Sequence, residues 1–318
     1  MTVNAQSKSD KRFDRTDPVA YIARTREYYQ ALGYGTPYRW AYFDDVPFAP
    51  LAKPLSECRV ALVTTAALYQ VNKGDQGPGA VYNSAAKFYK VYVHAIDGAP
   101  DMRISHIAYD RKHTTAEDIN TWFPLAQLKR AASEGRIGAV TENFYGFPTN
   151  RSHETTTSQD CPDLLEHLQQ DKTDVTILVA NCPVCHQSTA LAARHLEAAG
   201  IATVVMGCAK DIVEHVGVAR FLFSDFPLGN AAGKPHDTAS QMQTMGLALD
   251  LLDGATTPRT TWLSPLEWSN DPDWKLDYCN IERLPPEEIS RRREEFDQQK
   301  NVAKKLRLGD ANAEDSLT

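Results

Sequence analysis

Cys182-Pro183-Val184-Cys185-His186 places two thiols three positions apart where the apolar run Val175 to Ala180 ends. That run predicts a buried strand. Pro183 suits the first turn of a following helix, since its missing N–H would be unpaired there anyway. Cys182 then caps the helix and Cys185 lies one turn in, on the same face. The unpaired N–H groups and the helix dipole favour thiolate over thiol. A free cysteine has a pKa of about 8.5, and a helix N-terminus can lower it to about 7, making roughly half of it nucleophile at neutral pH. Four readings stay open on spacing alone: an inert buried pair, c-type haem attachment, a metal site and a redox or nucleophilic dithiol. Haem attachment needs export and an open loop. A metal site would draw on Cys182, Cys185, His186 and Cys208, but one CxxC lacks the second ligand pair of a structural zinc site. The dithiol reading fits the strand-to-helix turn best.

Other polar groups gather after strand-like segments. His106, Asp110 and His113 surround the end of Arg103 to Tyr109, which reads as a strand. The two histidines have the chemistry of acid–base groups or metal ligands, although structural histidines are the commoner case. Glu142 and Asn143 follow the strand-like run Ile137 to Thr141, where Glu142 is either a base or a loop carboxylate. Thr64 and Thr65 end the apolar run that begins at Arg59. Phe226 to Pro235 is a glycine-punctuated loop one residue short of phosphate-loop spacing, with Pro235 where a magnesium-binding Ser or Thr would stand. Backbone N–H groups near Gly229 and Asn230, with Lys234, would instead suit a substrate carboxylate. No G-x-G-x-x-G opens a helix, so there is no dinucleotide fingerprint.

These residues need a scaffold that collects strand ends. Strands over 175–180, 203–206 and 221–223 alternate with helices over 161–171, 187–199, 210–215 and 240–252. Such alternation predicts a parallel sheet flanked by helices, with ligands bound beyond the carboxyl ends of its strands. A polar segment, Thr149 to Asp160, divides the pattern. The expected architecture is α/β: two Rossmann-like lobes with mostly parallel sheets and a C-terminal helical extension. Its parts are a leader and N-terminal helix (1–57), a first lobe (58–155), a second lobe carrying the CxxC (156–255) and an arm (256–318). In the arm a charged helix starts at Pro285, with Ile289, Phe296 and Ala303 at spacing seven, to pack on its own domain or a sister subunit; a homo-oligomer is expected.

The 318 residues carry a net charge of −7, which argues against nucleic acid or an anionic membrane as partner. No run of about 18 apolar residues is present. The first residues form no apolar signal segment, so a cytoplasmic location with reduced cysteines is expected.

Several of these segments also resemble a known family. Val60 to Ala66, Ser105 to Asp110, Asp118 to Pro124, Tyr145-Gly146-Phe147, Cys182 to Ser188 and Phe226 to Pro235 are similar, in consistent order over roughly 58–253, to the selenoprotein B components of the glycine/sarcosine/betaine and D-proline reductases, the D-proline side in particular. The resemblance implies that Cys182 stands where the family has selenocysteine and attacks the substrate for reductive C–N cleavage, with Cys185 as the resolving thiol. It implies a small amino-acid-like substrate, a thiol reductant protein, and a pyruvoyl group supplied by a partner subunit, since nothing in this chain would generate one. No cofactor is expected within the chain itself. A thiol ionises less readily than a selenol and is a poorer leaving group. A cofactor-independent racemase is a rival with thiols at strand ends, but Thr64-Thr65-Ala66 stands where its second thiol would be needed, leaving His106 to substitute.

Overall fold

A computed structural model describes residues 17–98, 100–104, 106 and 108–314, with side chains in the last helix through Lys305. The leader over 1–15 therefore lies outside the described residues, as do Ser105 and Ile107 of the segment expected to be a strand. The chain opens with helix α1 (Tyr21–Ala31). Strands β1 (Arg59–Thr64), β2 (Ala67–Leu68), β3 (Tyr92–Ala95) and β4 (Met102–Arg103) follow, then α2 (Leu125–Ser133), β5 (Ala139–Val140) and β6 (Asn143–Gly146). A short turn α3 (His153–Thr155) leads through a π-helical turn into α4 (Cys161–Gln170). The regular half runs β7 (Val175–Val179), α5 (Pro183–Ala198), β8 (Ala202–Gly207), α6 (Lys210–Val216), β9 (Arg220–Phe223) and α7 (Thr238–Gly254), ending with β10 (Thr260–Leu263) and α8 (Pro286–Glu314).

One sheet holds both halves. Its order is β10-β9-β8-β7-β1-β6-β3, with β5 pairing the start of β1. Every pairing is parallel except β3 with β6. The two expected sheets are thus a single one, joined where Val60 to Thr64 pair with Val175 to Val179. The polar segment over 149–160 carries the chain across the sheet instead of separating two sheets. The arm is also part of it, since β10 pairs with β9 along the edge.

The burial pattern explains the layering. β7 and β8 are buried at every position, as parallel strands covered on both faces must be. Alternate residues feed opposite cores. Val60, Leu62, Ile177 and Val204 pack with Leu128, Met245 and Leu249 of α2 and α7. Ala61, Val63, Leu178 and Val205 pack with Leu164, Leu191 and Leu196 of α4 and α5.

The chain leaves β1 for β5 and β6 on one side, then returns to build β7 to β10 on the other. The order therefore reverses between β1 and β7, and in such sheets the crevice at the carboxyl ends of those two strands is where ligands bind. Thr64-Thr65 and Asn181-Cys182 are the residues that emerge there.

Candidate active site

Cys182 is the N-cap of α5, in extended conformation, and its sulfur accepts a hydrogen bond from the Cys185 N–H at 3.2 Å. Pro183 occupies the first helical turn, as the spacing predicts. The Cys182 and Cys185 sulfurs are joined in a disulfide, with Cα atoms 4.9 Å apart. Both residues are buried.

His106 completes the cluster. One of its ring nitrogens and the two sulfurs lie within 4.8 Å of one another. Its Nε2 contacts the Thr65 carbonyl at 2.6 Å. A carbonyl only accepts, so Nε2 carries the proton and Nδ1 is a bare lone pair. Burial, with a smaller push from the Lys87 and Arg111 charges, lowers its pKa to about 3, so the ring is neutral. The Arg103 to Tyr109 strand shrinks to Met102–Arg103, paired with β2, and the chain then turns.

His186 does something else. Its Nδ1 donates to the Cys182 carbonyl at 2.7 Å, while Nε2 accepts from the N–H groups of Cys208 at 2.8 Å and Ala209 at 3.1 Å. The fully buried ring is neutral, its pKa lowered to about 4 by desolvation. Gly207 makes room for it, because a Cβ there would lie 2.5 Å from the ring. With both nitrogens occupied, His186 has no lone pair for a metal. The Cys208 thiol is buried against the Phe226 and Asn230 N–H groups, and desolvation pushes its pKa well up. The metal set with His186 and Cys208 is thereby corrected: among the described residues the donors that converge with the two sulfurs come from His106.

The remaining expected residues divide. Thr65 accepts from Asn181 Nδ2 at 3.1 Å through its hydroxyl, tying the β1 and β7 ends together. Thr64 is turned to its own chain, its hydroxyl accepting from the Ala66 N–H. Asp110 lines the cavity that ends at Cys182. His113 bonds Asp277 at 3.0 Å, in an ion cluster with Lys112 and Arg283, and is not a cavity wall. Glu142 is exposed and Asn143 holds Asp171. Both lie at the amino end of β6, which pairs in parallel with β1, so they sit at the opposite edge of the sheet from Cys182. The expected strand end is there, at β5, but β5 pairs with the start of β1 and β6 begins at once, so both residues stay at that edge. Gly229, Asn230 and Lys234 are likewise not cavity walls. Asn230 Nδ2 donates to the Pro227 carbonyl, the Gly229 carbonyl accepts from Thr121, and the Lys234 main chain is held by Ser240 and Gln241. Their loop buttresses Asp110, whose N–H donates to the Leu228 carbonyl.

The cavity has a volume of about 670 Å³ and lies between the sheet end, α1 and α8. Its walls include residues that the sequence pattern does not single out, Tyr38, Arg151, Cys279 and Arg292, together with Trp40 and with Phe296 of α8. The spacing-seven stripe is the available signal for α8. Phe296 packs against Tyr29 and Tyr34, so the arm folds back on its own domain. Burial raises the Cys279 thiol to about 12, making it a poor nucleophile at neutral pH. Asn181, one residue before Cys182, is also legible as a polar strand-end residue.

Asp110 is buried, its Oδ2 has no hydrogen-bond partner among the described residues, and desolvation raises its pKa to about 6 against the neighbouring His113 charge. A folded-state value above the unfolded one means that folding takes up a proton as pH falls, and that the carboxylate destabilises the fold above about pH 6. Asp110→Asn should therefore gain about 1–3 kcal/mol at pH 8, the gain disappearing by about pH 4. Urea denaturation at the two pH values measures it; an equal effect at both would refute the assignment.

Among the described residues no helix is long and apolar enough to cross a membrane. The family described as glycine/sarcosine/betaine reductase selenoprotein B matches residues 29–181, taking in Thr65, His106, Asp110 and Asn181 and ending one residue before Cys182. The chain is similar to these reductase B components. It is 28% identical to the D-proline reductase subunit gamma of Acetoanaerobium sticklandii over 61% of this chain and 78% of that subunit. It is 28% identical to the glycine reductase complex component B subunit gamma of Symbiobacterium thermophilum over 71% of this chain and 52% of that one. A betaine reductase complex component B subunit beta from Peptoclostridium acidaminophilum is 25% identical over 66% and 48%. The chain thus spans about half the length of the glycine and betaine reductase subunits it matches. No solved structure matches it.

Proposed function

We propose that this reductase homologue is a thiol-bearing subunit that acts on a small amino-acid-like substrate, with Cys182 as nucleophile and Cys185 as resolving thiol. The observation that carries the reading is the Cys182–Cys185 pair at the sheet's reversal point, at the end of a large cavity and beside a neutral His106. In the reduced state Cys182 loses its proton to solvent, its thiolate favoured by the Cys185 N–H and the N-terminus of α5. The thiolate forms a C–S bond as the C–N bond breaks, and the nitrogen leaves with the bonding pair and gains a proton. Cys185, as thiolate, then attacks the Cys182 sulfur. The C–S bond breaks, the carbon departs with its electron pair and is protonated, and the disulfide forms. Asp110, which holds its proton to higher pH than an ordinary carboxyl, would supply one. The substrate gains two electrons and an external dithiol restores the pair by exchange.

The relatives' names describe subunits and components of complexes, which supports partner subunits here. A pyruvoyl group on such a partner would activate the substrate amine. One observation favours a second reading: His106, Cys182 and Cys185 offer three converging donors, a set that zinc would accept once the sulfurs are reduced.

Thiol counting on the reduced, denatured full chain before and after mild oxidation tests the proposal. Four of the six thiols should remain, Cys58, Cys161, Cys208 and Cys279, with the other two lost together. Six remaining thiols would refute redox cycling. Stoichiometric metal in the reduced protein, lost in both Cys182→Ser and His106→Ala, would replace the dithiol reading by the metal one.

A further inference from the structure

The cavity is positively charged in a chain of net charge −7: among the described residues, nine Lys and Arg line it against three Asp and Glu. Part of that charge is already matched. Lys112 and Arg283 pair with Asp277, and Arg291 and Arg292 with Glu288. Arg26 of α1 and Arg151 make no ion pair among the described residues. The Arg151 guanidinium lies over the rings of Tyr29 and Tyr38, at 5.8 and 5.3 Å from their centroids. A guanidinium held by aromatic faces keeps its N–H fork for a carboxylate.

The rest of the wall is built for a flat body. Tyr38 and Trp40 meet edge to face at 4.8 Å, Tyr28 and Tyr29 at 5.4 Å, and Phe296 tilts onto Tyr29 at 5.5 Å. Such perpendicular faces stack readily on an aromatic ring. Asp110 lines the same cavity, and its Oδ2, shielded from solvent, has no hydrogen-bond partner among the described residues. A buried acceptor of this kind requires a donor, and none of the described residues supplies it. Finally, about 670 Å³ is the size of pockets that hold ligands much larger than alanine or proline. A small aliphatic amino acid would leave most of the aromatic wall wet.

We propose that the cavity binds an aromatic carboxylate bearing an N–H group, its carboxylate on Arg151, its ring against Tyr29, Tyr38 and Phe296, and its N–H on Asp110. This deepens the function proposed above and rests on it only for the reacting atom's place at Cys182.

Indole-2-carboxylate, which is fluorescent and has all three features, is the probe, titrated into the full chain at pH 7. It should bind at least about tenfold more tightly than proline or indole, and Arg151→Gln should weaken it about tenfold by removing the charge-assisted fork. Arg151 is exposed, so that variant retains the fold. Equal affinities for indole-2-carboxylate and proline would overturn the proposal, as would unchanged binding in Arg151→Gln. Thiol counting on the same samples separates the two ideas. Binding without loss of a thiol pair would sink the dithiol reading and leave this one standing; a thiol pair that cycles in a protein blind to the probe would do the reverse.

Discussion

A Cys185→Ser chain treated with glutathione disulfide should hold one glutathione on Cys182 for at least about 10³ times longer than the wild type. In the wild type, Cys182 attacks the disulfide, one glutathione leaves, and Cys185 then displaces the second as the intramolecular disulfide closes. The two Cα atoms are 4.9 Å apart at the start of one rigid helix, so the second step needs no chain movement. A neighbouring group held in this way acts at an effective concentration far above that of any thiol in solution, on the order of 10⁵ M or more for well-oriented pairs. Serine at 185 has no thiolate to offer, and the mixed disulfide persists until outside thiol removes it. In Cys182→Ser the remaining thiol is fully buried behind the cap and should stay unmodified. Intact-mass spectra over time measure both. An adduct on Cys185 at the wild-type rate, or one in Cys185→Ser that decays as fast as in the wild type, would reverse the assigned roles. The same variant should lose turnover by a factor on the order of 10³ once a substrate is in hand, because an intermediate that cannot be resolved ends the cycle.

Why Cys182 stands out in the amino-acid sequence, while most of its neighbours do not, follows from how each is held. The Cys182 position is local: an apolar strand, a cap and a proline in the first turn are adjacent in the chain, and each has a strong backbone consequence. Strands β7 and β8 are legible because both faces are buried and the apolar run is unbroken. Strand β6 is not, because Asn143 opens it with a polar residue and only four residues pair. Glu142 and Asn143 do follow a strand, β5, but it pairs with the start of β1, which puts them at the edge away from Cys182. The single sheet is not legible either. It depends on the order in which strands pair, and the polar run over 149–160 looks the same whether it crosses a sheet or leaves a domain. His106 is legible as a titratable residue but not as a neighbour of the sulfurs, since the two are far apart in the chain and only the fold brings them within reach. The cavity wall on α8 lies more than 100 residues beyond Cys182, and only a weak stripe marks it. Resemblance to the reductase family suggests the roles of the two cysteines; only the fold brings His106 and the cationic cavity wall beside them.

His186→Leu should destabilise the fold by about 2–5 kcal/mol, although it replaces a residue that touches no cavity. Leucine nearly fills the space of the ring but accepts no hydrogen bond. The N–H groups of Cys208 and Ala209 would then be buried without partners, each at a cost of about 1–3 kcal/mol. The Cys182 carbonyl keeps the His186 main-chain N–H at 3.1 Å, so its own loss is small. Gly207→Ala should act similarly by a different route, since its methyl would overlap the ring and push it off both N–H groups. His195→Leu, on the same helix but half-buried and with an unshared ring, should fall within about 0.5 kcal/mol of wild type. The pH dependence has a definite sign. The His186 value of about 4 lies below the ordinary 6.5, so the unfolded chain binds a proton that the folded chain refuses. The stability this residue contributes is full above about pH 6.5 and is lost as pH falls toward 4. The leucine variant should lack that loss. Urea midpoints at pH 7.5 and 5 for the three variants test the argument, with the denaturant slope checked for constancy. A His186→Leu chain as stable as wild type at pH 7.5 would mean that the ring does not hold the Cys208 turn. Because the same ring ties the Cys182 carbonyl to that turn, the dithiol potential should move with the stability in His186→Leu and Gly207→Ala, and stay fixed in His195→Leu.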